Sequence, residues 1–407
     1  MNSGSNSLYH ERNVLMKEKA LAEEKVRKRR RRVAMMIMTG LLCLLSGINI
    51  YSASFFSKPG YPMKHWIFIG MFLFIYYVGG LLWNSRKYNY KFLENFKFTW
   101  PICLIVMPGI LALVGILGRM GIKSIVPEIN GAYGWIKVAG INLQPSEIGK
   151  LTFIIIIAKI LSNCEKTDAG DKTILSTTGI VLVAYCAGLI LEHDMGTALH
   201  YGAIWLFMIF MSKLSKKLIL WGAIGSSTLG SLFLWIAYRF LGQGEQGYKL
   251  RRIISYIDGL FYNNYESDTS YQVKQSVYAF GSGGLLGKGY GNGIQKYSYL
   301  PEIHTDFVMA TFGEEFGLVG IMFVMCIFYF IFIGIIHTAM ETKDDFGKFL
   351  AIGIGGMLMT QVIINIFVAV GLMPVFGIPM PLFSYGGTSM LNMALAFLLI
   401  HNINKTA

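Results

Sequence analysis

Residues 281–289, Gly-Ser-Gly-Gly-Leu-Leu-Gly-Lys-Gly, and residues 300–307, Leu-Pro-Glu-Ile-His-Thr-Asp-Phe, belong to one unusual stretch, which runs from Tyr271 to Gly320. It begins Tyr-Gln-Val-Lys-Gln-Ser at 271–276 and leads into an apolar run that contains Gly-Glu-Glu-Phe-Gly at 313–317. A polar, glycine-rich loop is costly to order because each fixed residue loses conformational entropy. Its direct continuation into a membrane helix predicts chemistry at the membrane surface, with the remaining chain as scaffold.

The composition around this stretch predicts a polytopic helical membrane protein. Hydrophobic residues make up 54% of the chain and charged residues 14%, and the apolar runs are long and continuous. Continuous runs exclude a membrane β-barrel, in which apolar and polar residues alternate. The net charge of +13 does not predict nucleic-acid binding, because much of the basic charge lies beside apolar spans and orients them in the bilayer.

The cysteines and the N-terminus carry no further site. The five cysteines show neither a disulfide framework nor metal-ligand spacing. Residues 1–32 form a basic arm that ends in Arg-Lys-Arg-Arg-Arg-Arg at 27–32, and no small-residue cleavage site follows the first apolar run. We therefore expect an uncleaved first span and a cytoplasmic N-terminus.

The hydropathy pattern predicts an all-α protein with ten spans, each near the ~20 residues that cross the hydrocarbon. They are residues 33–52, 65–84, 98–118, 146–162, 173–191, 197–211, 218–241, 306–336, 349–370 and 387–402. The transmembrane domain is thus 33–402, with a large extracytoplasmic loop, 242–305, between spans seven and eight. An even number of spans returns the C-terminal tail, 403–407, to the cytoplasm, and the lysines and arginines of the predicted inner loops agree with that orientation.

The outer loop also carries basic residues, although lysine and arginine are usually concentrated in cytoplasmic loops. They include Arg251, Arg252, Lys274, Lys288 and Lys296. A long loop can cross the membrane despite such charge. Alternatively, fixed cations interspersed with glycines can bind an anion such as a lipid-linked phosphate, and we favour this interpretation.

Asp306 lies where the loop becomes the eighth span. Partial desolvation there would raise the pKa of its carboxyl toward the range suited to a general base. The alternative is that Thr305 or Asp306 caps the helix and interacts with its dipole. Glu302 and His304 are further candidates, each equally compatible with a solvated loop position.

Two acid-containing motifs fall within the membrane. Glu314 and Glu315 lie ~12 Å further along the helix than Asp306, so they require partners or a water-filled cavity, as a proton relay or a structural ion pair. At the start of span four, Glu147 and Lys150 are three residues apart and can pair on one helix face. That pair can face a cavity or form a buried strut.

The segment 371–388 contains three prolines and several glycines, so it cannot be a regular helix. Irregular backbone at membrane depth must be covered by protein or must line a cavity. We expect it to pack beneath the large loop, near Asn365 of the ninth span. Glu192, His193 and Asp194 mark the outer boundary between spans five and six.

The sequence resembles the SEDS family of peptidoglycan glycosyltransferases (FtsW, RodA and the sporulation homologue) over nearly the whole chain after the arm. The motifs that carry the resemblance are residues 144–150, 194–198, Arg251-Arg252 with Asp258, 271–276, 281–289, 300–307, 313–317 and 374–388. Residues 291–296 resemble the division-type branch. Two positions depart from the family pattern: Gly134 replaces an arginine before Trp135, and Gly259 replaces a proline after Asp258.

The resemblance implies that the protein polymerises lipid II at the outer face of the bacterial cytoplasmic membrane, for division, elongation or sporulation. It places the catalytic aspartate at Asp306 and implies a class B penicillin-binding protein as partner within a division or elongation complex. Fixed cations or a divalent metal, Mg²⁺ or Mn²⁺, would stabilise the leaving diphosphate. A lipid II flippase and a non-catalytic scaffold are the alternatives, and no nucleic acid is expected.

The predicted site residues fall into two further groups. Those predicted to bind substrate are Arg251, Arg252, Lys274, Ser276, Lys288, Lys296, His304, Glu147 and Lys150. Those predicted to have a structural or relay role are Asp194, Glu314, Glu315, Asn365 and Ser384.

Overall fold

The computed structural model describes residues 3–55, 58–83, 89–129, 131–138, 141–215, 268–297 and 299–406, with six isolated residues between 217 and 256. Almost all of the predicted seventh span, 218–241, and the first part of the large loop lie outside the described residues. Arg251, Arg252, Asp258 and Gly259 are among the residues not described.

The described part of the chain is mostly helical. The helices are α1 (Ser3–Ser54), α2 (Tyr61–Leu73), α3 (Gly79–Leu82), α4 (Lys91–Asn95), α5 (Thr99–Pro101), α6 (Met107–Arg119), α7 (Pro145–Lys166), α8 (Asp171–Leu191), α9 (Met195–Phe210), α10 (Asp268–Gly283), α11 (Val308–Glu341), α12 (Asp345–Ala369) and α13 (Gly387–Thr406). Short π-helical turns, Phe74–Val78 and Ile102–Val106, join α2 to α3 and α5 to α6.

Nine of the ten predicted spans coincide with helical segments. Among the described residues, six helical segments are long and apolar enough to cross a membrane, two of them formed by short helices joined through the π-helical turns. Helix α7 is 22 residues long but carries charged side chains along its length, and 16 of its residues are buried. It can carry those charges because protein surrounds it. The first span is longer than predicted, since α1 continues without a break into the basic arm.

Helix α12 occupies the centre of the bundle, where it packs against α7, α9 and α11. Small residues allow this close packing: a Cβ atom on Gly353 would lie 2.4 Å from Ile154 of α7, and one on Gly356 would lie 2.5 Å from Phe207 of α9. Small residues at helix contacts are typical of membrane bundles, in which van der Waals packing drives association.

The structure contains a β-hairpin and an additional helix that the sequence analysis did not predict. Residues 136–143 form an antiparallel hairpin, β1 (Ile136–Val138) and β2 (Ile141–Leu143), with Ile136 paired to Leu143. Helix α10 lies within the segment predicted as loop. It forms because Val273, Ser276 and Ala279 recur at helical spacing and present one face to the neighbouring protein.

Helix α11 is broken at Gly317, whose φ of 67° and ψ of −170° are not helical. The glycine-rich segment after α10 fills the break. Lys288 N and Gly289 N donate to the carbonyl oxygens of Glu314 and Glu315, at 3.0 Å each. Leu318 N and Val319 N donate to the carbonyls of residues 284 and 285. Backbone groups released by the break are thus paired again, as a non-aqueous environment requires.

Candidate functional site

Asp306 is partly exposed and lies two residues before the first residue of α11. One of its carboxylate oxygens, Oδ2, faces the irregular segment before α13, where a Cβ atom on Gly377 would lie 3.9 Å away. Gly377 has a φ of 74°, a backbone conformation that favours glycine. A glycine here therefore both permits the turn and leaves space beside the carboxylate.

Three consecutive carbonyl groups hold the backbone of the Asp306 loop in place. Tyr385 N donates to the carbonyl of His304 at 2.8 Å, and Ser384 Oγ donates to the carbonyl of Thr305 at 2.6 Å. Asn365 Nδ2 donates to the carbonyl of Asp306 at 3.0 Å and also to that of Ile378 at 2.9 Å. The segment 371–388 and Asn365 therefore pack against this loop, as the sequence predicts.

The N-cap position of α11 is not occupied by Thr305 or Asp306. The N-cap residue of α11 is Phe307, and it makes no side-chain capping bond. The Thr305 hydroxyl donates instead to Glu302, at its carbonyl oxygen and at Oε2. Neither residue proposed as a cap, Thr305 or Asp306, therefore occupies the capping position.

His304 is buried in an aromatic cluster that the sequence analysis missed. Its ring lies 4.9 Å from that of Tyr61, and Tyr61 stacks on Tyr385 at 4.3 Å. Burial lowers the pKa of His304 to about 4, with Glu302 opposing and Lys58 reinforcing the shift. His304 is therefore neutral at pH 7, so its predicted contact with substrate would be made by an uncharged ring. The sequence feature that could have indicated this cluster is the turn between α1 and α2, where Lys58 and Tyr61 flank Pro59 and Gly60.

Two of the predicted phosphate-binding lysines pair with the acids of α11. Lys288 Nζ lies 2.7 Å from Glu314 Oε1, and Lys296 Nζ lies 2.7 Å from Glu315 Oε1. Lys296 also donates to Ser52 Oγ and to the carbonyl of Gly291, so all three of its N–H donors are used. This arrangement favours the structural alternative for Glu314 and Glu315, and it commits Lys288 and Lys296 to them instead of to substrate.

The glycines predicted to approach a phosphate approach the backbone of α11 instead. A Cβ atom on Gly283 would lie 2.1 Å from the carbonyl oxygen of Gly313, and one on Gly287 would lie 2.2 Å from that of Glu315. Gly287 also has a φ of 80°. These glycines do allow a close backbone approach, as predicted, but the group that they approach is the backbone of α11.

Two residues of α10 were predicted to bind substrate. Ser276 is fully buried and donates to the carbonyl of Ala369 at 2.6 Å. It therefore joins α10 to the end of α12. Lys274 is partly exposed, and its Nζ lies 5.8 Å from the centre of the Tyr278 ring.

Glu147 and Lys150 form the pair that their spacing predicts. Lys150 Nζ lies 2.6 Å from Glu147 Oε1, and both side chains are buried near the start of α7. Tyr201 of α9 donates to the carbonyl of Ser146 at 2.8 Å. The pair is thus enclosed between α7 and α9, which fits a buried strut.

Asp194 caps α9 and lies beside a second carboxyl that the sequence analysis did not single out as a site residue. Asp194 accepts from Thr197 N at 2.9 Å and from Thr197 Oγ1 at 2.7 Å. Glu192, two residues earlier, is fully buried. Burial, together with the negative charge of Asp194, raises the pKa of Glu192 to about 9. Within the described ranges, no cluster of three or more His, Cys, Asp or Glu side chains is placed to hold a metal ion.

Comparison with known proteins identifies relatives over nearly the whole chain. The sequence model of the FtsW, RodA and SpoVE family, described as cell cycle protein, matches residues 32–407. The probable peptidoglycan glycosyltransferase FtsW of Trichlorobacter lovleyi is 31% identical over 373 residues, which cover 90% of this chain and 89% of that protein. FtsW of Bacillus subtilis, with the same description, is 32% identical over 86% of this chain and 84% of its own length.

Stage V sporulation protein E of Bacillus subtilis is 31% identical over 91% of this chain and 96% of its own length. Among solved structures, a chain of a peptidoglycan synthase complex superposes with a TM-score of 0.70 at 22% identity, covering 91% of this chain and 97% of that one. The rod shape determining protein RodA of Thermus thermophilus superposes with a TM-score of 0.61 at 21% identity, covering 91% of this chain and 95% of RodA. The last two similarities concern the fold.

Proposed function

The chain belongs to the FtsW, RodA and SpoVE family, and from this membership we propose that it is a peptidoglycan glycosyltransferase. Its substrate is lipid II, a disaccharide-pentapeptide carried on undecaprenyl diphosphate, which it polymerises at the outer face of the cytoplasmic membrane. The full topology has ten spans, with both termini in the cytoplasm and the large loop 242–305 outside. This orientation agrees with the lysine and arginine bias of the inner loops.

Asp306 acts as the general base. It accepts the proton of the acceptor sugar's 4-hydroxyl while that oxygen forms a bond to the anomeric carbon of the donor. The bond from the anomeric carbon to the phosphate oxygen breaks, and undecaprenyl diphosphate leaves with the electron pair. The observation that supports this role is a partly exposed carboxylate on a loop whose three consecutive carbonyls are all hydrogen-bonded.

The leaving diphosphate needs positive charge. Lys288 and Lys296 are held in ion pairs. The other candidates from the sequence are Arg251 and Arg252, which lie outside the described residues, and Lys274, which is partly exposed. A divalent cation, Mg²⁺ or Mn²⁺, would supply further charge. A class B penicillin-binding protein is the proposed partner, in agreement with the similarity in fold to a chain of a peptidoglycan synthase complex.

The test is polymerisation of purified lipid II by the full-length protein in detergent, with the partner added in one arm and omitted in another. Because a base contributes about 100- to 10,000-fold, Asp306→Asn should abolish nearly all glycan synthesis while the protein stays folded. Asp171→Asn, in the first turn of α8, serves as the control and should retain activity.

Detergent contains no second compartment, so glycan chains made there exclude pure lipid II transport. Product that depends wholly on the added partner and not on Asp306 would indicate a scaffold. Wild-type rates from Asp306→Asn would contradict the assignment of the base.

A further inference from the structure

Among the residues that the structure describes, Glu192 is a buried carboxyl that forms no ion pair. Its side chain is fully buried, and within the described part of the chain neither of its two carboxylate oxygens has a hydrogen-bond partner. Leaving a buried acid unpartnered is costly, because the interior does not replace the water lost on burial. The group must therefore hold a proton or share a cation.

A second carboxylate and an unfilled side-chain position lie beside it. A Cβ atom on Gly134 would lie 3.2 Å from Glu192 Oε2 and 3.8 Å from Asp194 Oδ2. Gly134 is not in the left-handed region, so the turn does not require glycine there. The glycine instead leaves the space between the two oxygens open.

Arg119 of α6 lies against the same turn, and its donors are directed to backbone carbonyls. Arg119 Nε donates to the carbonyl of Leu191 at 3.0 Å, and its Nη2 donates to that of Ile190 at 3.2 Å. On the other side, Gln144 Nε2 lies 3.4 Å from Asp194 Oδ2. The Gln144 amide therefore donates to Asp194, and the groups that can ligate a cation here are the two carboxylates, whose oxygens hard cations prefer.

This position and the Asp306 loop contact the same short segment of chain. A Cβ atom on Gly196, in the first turn of α9, would lie 2.0 Å from the carbonyl oxygen of Phe376. A Cβ atom on the next residue, Gly377, would lie 3.9 Å from Asp306 Oδ2. Residues 376–377 therefore contact both the start of α9, which Asp194 caps, and the proposed base.

We propose that Glu192 and Asp194 form a site for one hard divalent cation, Mg²⁺ or Mn²⁺, which binds the diphosphate of the lipid-linked donor. This inference rests on the proposed function for the identity of the diphosphate. Mg²⁺ is commonly held by one or two carboxylates and completed by water and substrate phosphates, so two protein carboxylates suffice. The cation supplies charge for the leaving group that Lys288 and Lys296 do not supply, because they are paired with Glu314 and Glu315.

The experiment measures Mn²⁺ binding to the purified full-length protein by electron paramagnetic resonance, without lipid II. Glu192→Gln keeps the size of the side chain and removes its charge. It should weaken Mn²⁺ binding by about tenfold or more. Gly134→Arg places a guanidinium between the carboxylates and should compete with the cation, whereas Gly134→Ala adds only a methyl group and should bind Mn²⁺ nearly as the wild type does.

Asp306→Asn separates this inference from the proposed function, because it should bind Mn²⁺ normally and yet make no glycan. Failure of the glycosyltransferase proposal would appear in the lipid II assay and leave the binding result intact. The cation site is overturned if the wild type binds no Mn²⁺ in detergent, or if Glu192→Gln and Gly134→Arg bind it with unchanged affinity. Unchanged affinity would mean that Glu192 holds a proton.

Discussion

At the scale of single residues, Asn365 is the main test of how the proposed base is positioned. Its amide bridges the carbonyls of Asp306 and Ile378. Asn365→Ala removes both bonds, so the loop can shift while the carboxylate stays present. We expect kcat to fall by about 10- to 100-fold, since small misplacements of catalytic groups have effects of this size. KM should change far less, and steady-state kinetics with lipid II would separate the two.

Asn404→Ala is the matched control for that variant. Asn404 donates to Thr338 Oγ1 at 2.9 Å and is buried near the end of α13. Its loss removes a similar buried hydrogen bond and should lower stability without lowering kcat. Equal effects of the two variants on kcat would show that Asn365 acts only through stability.

His304 gives the pH dependence a defined sign. Its pKa is lowered to about 4, below the ordinary value near 6.5, so the unfolded state binds a proton at a higher pH than the folded state does. The free energy of unfolding should therefore fall as pH is lowered from about 6.5 to about 4, by up to about 3 kcal/mol. His304→Gln should remove that part of the fall.

Thermal unfolding in detergent at several pH values would measure it. The control is His337→Gln, which removes an imidazole that is exposed on α11. A His304→Gln profile as steep as that of the wild type would contradict the prediction.

Sequence reasoning succeeded at this scale where partners are close in the chain. Glu147 and Lys150 are three residues apart, and helix geometry alone brings them together. Ser52 and Lys296 are 244 residues apart, and no local spacing indicates their contact. The same limit explains why lysines that appear available in the sequence are already paired with Glu314 and Glu315 in the fold.

At the scale of elements, the break in α11 depends on Gly317. Its φ is 67°, and an added Cβ atom would lie 2.3 Å from Gly287 N. Gly317→Ala should therefore displace the segment 284–289 and lower the free energy of unfolding by about 2 kcal/mol or more, from backbone strain and lost hydrogen bonds. Thermal unfolding in detergent is the measurement.

Gly281→Ala is the control, because an added Cβ atom there meets nothing within 4 Å and its φ is not positive. It lies in α10, where alanine also favours the helix. Destabilisation by Gly281→Ala as large as that of Gly317→Ala would show that the helix break is not the cause.

Hydropathy predicts the helix positions well, because apolar length is a local property of the chain. It does not predict α10, which is half polar and whose buried face is defined by Ala369 and neighbouring residues. Nor does it predict the break at Gly317, since that residue lies inside the predicted eighth span, 306–336. Both features depend on which distant segment packs against the helix.

At the scale of the whole molecule, charged side chains can lie in the interior because some helices are surrounded by other helices. Central helices α7 and α12 are largely buried, so α7 can carry Glu147 and Lys150 inside the bundle. Outer helices such as α8 and α11 expose apolar side chains, including Ile180, Val183 and Met322. Apolar exposure of this kind suits a lipid environment, and six helices have the length and hydropathy to cross it.

The ten-span topology predicts an odd number of crossings between Lys213 and Leu286. Lys213 follows α9 in a predicted inner loop, and its side chain is 61% exposed. Leu286 follows α10 in the predicted outer loop and is 81% exposed. In a variant whose own cysteines are replaced, a membrane-impermeant maleimide applied to intact cells should label Leu286→Cys and not Lys213→Cys. Permeabilised cells should label both.

Glu128→Cys serves as an outer reference in that experiment, because it is exposed and precedes the β-hairpin at the predicted outer face. Labelling of both Glu128→Cys and Leu286→Cys from outside would place the Glu192 region and the Asp306 loop on the same face, since the hairpin and α10 adjoin them. Labelling of Lys213→Cys in intact cells would require an even number of crossings between residues 213 and 286. The seventh span would then be wrong, and the positive charge of Arg251 and Arg252 would no longer be constrained to the face that carries the proposed base.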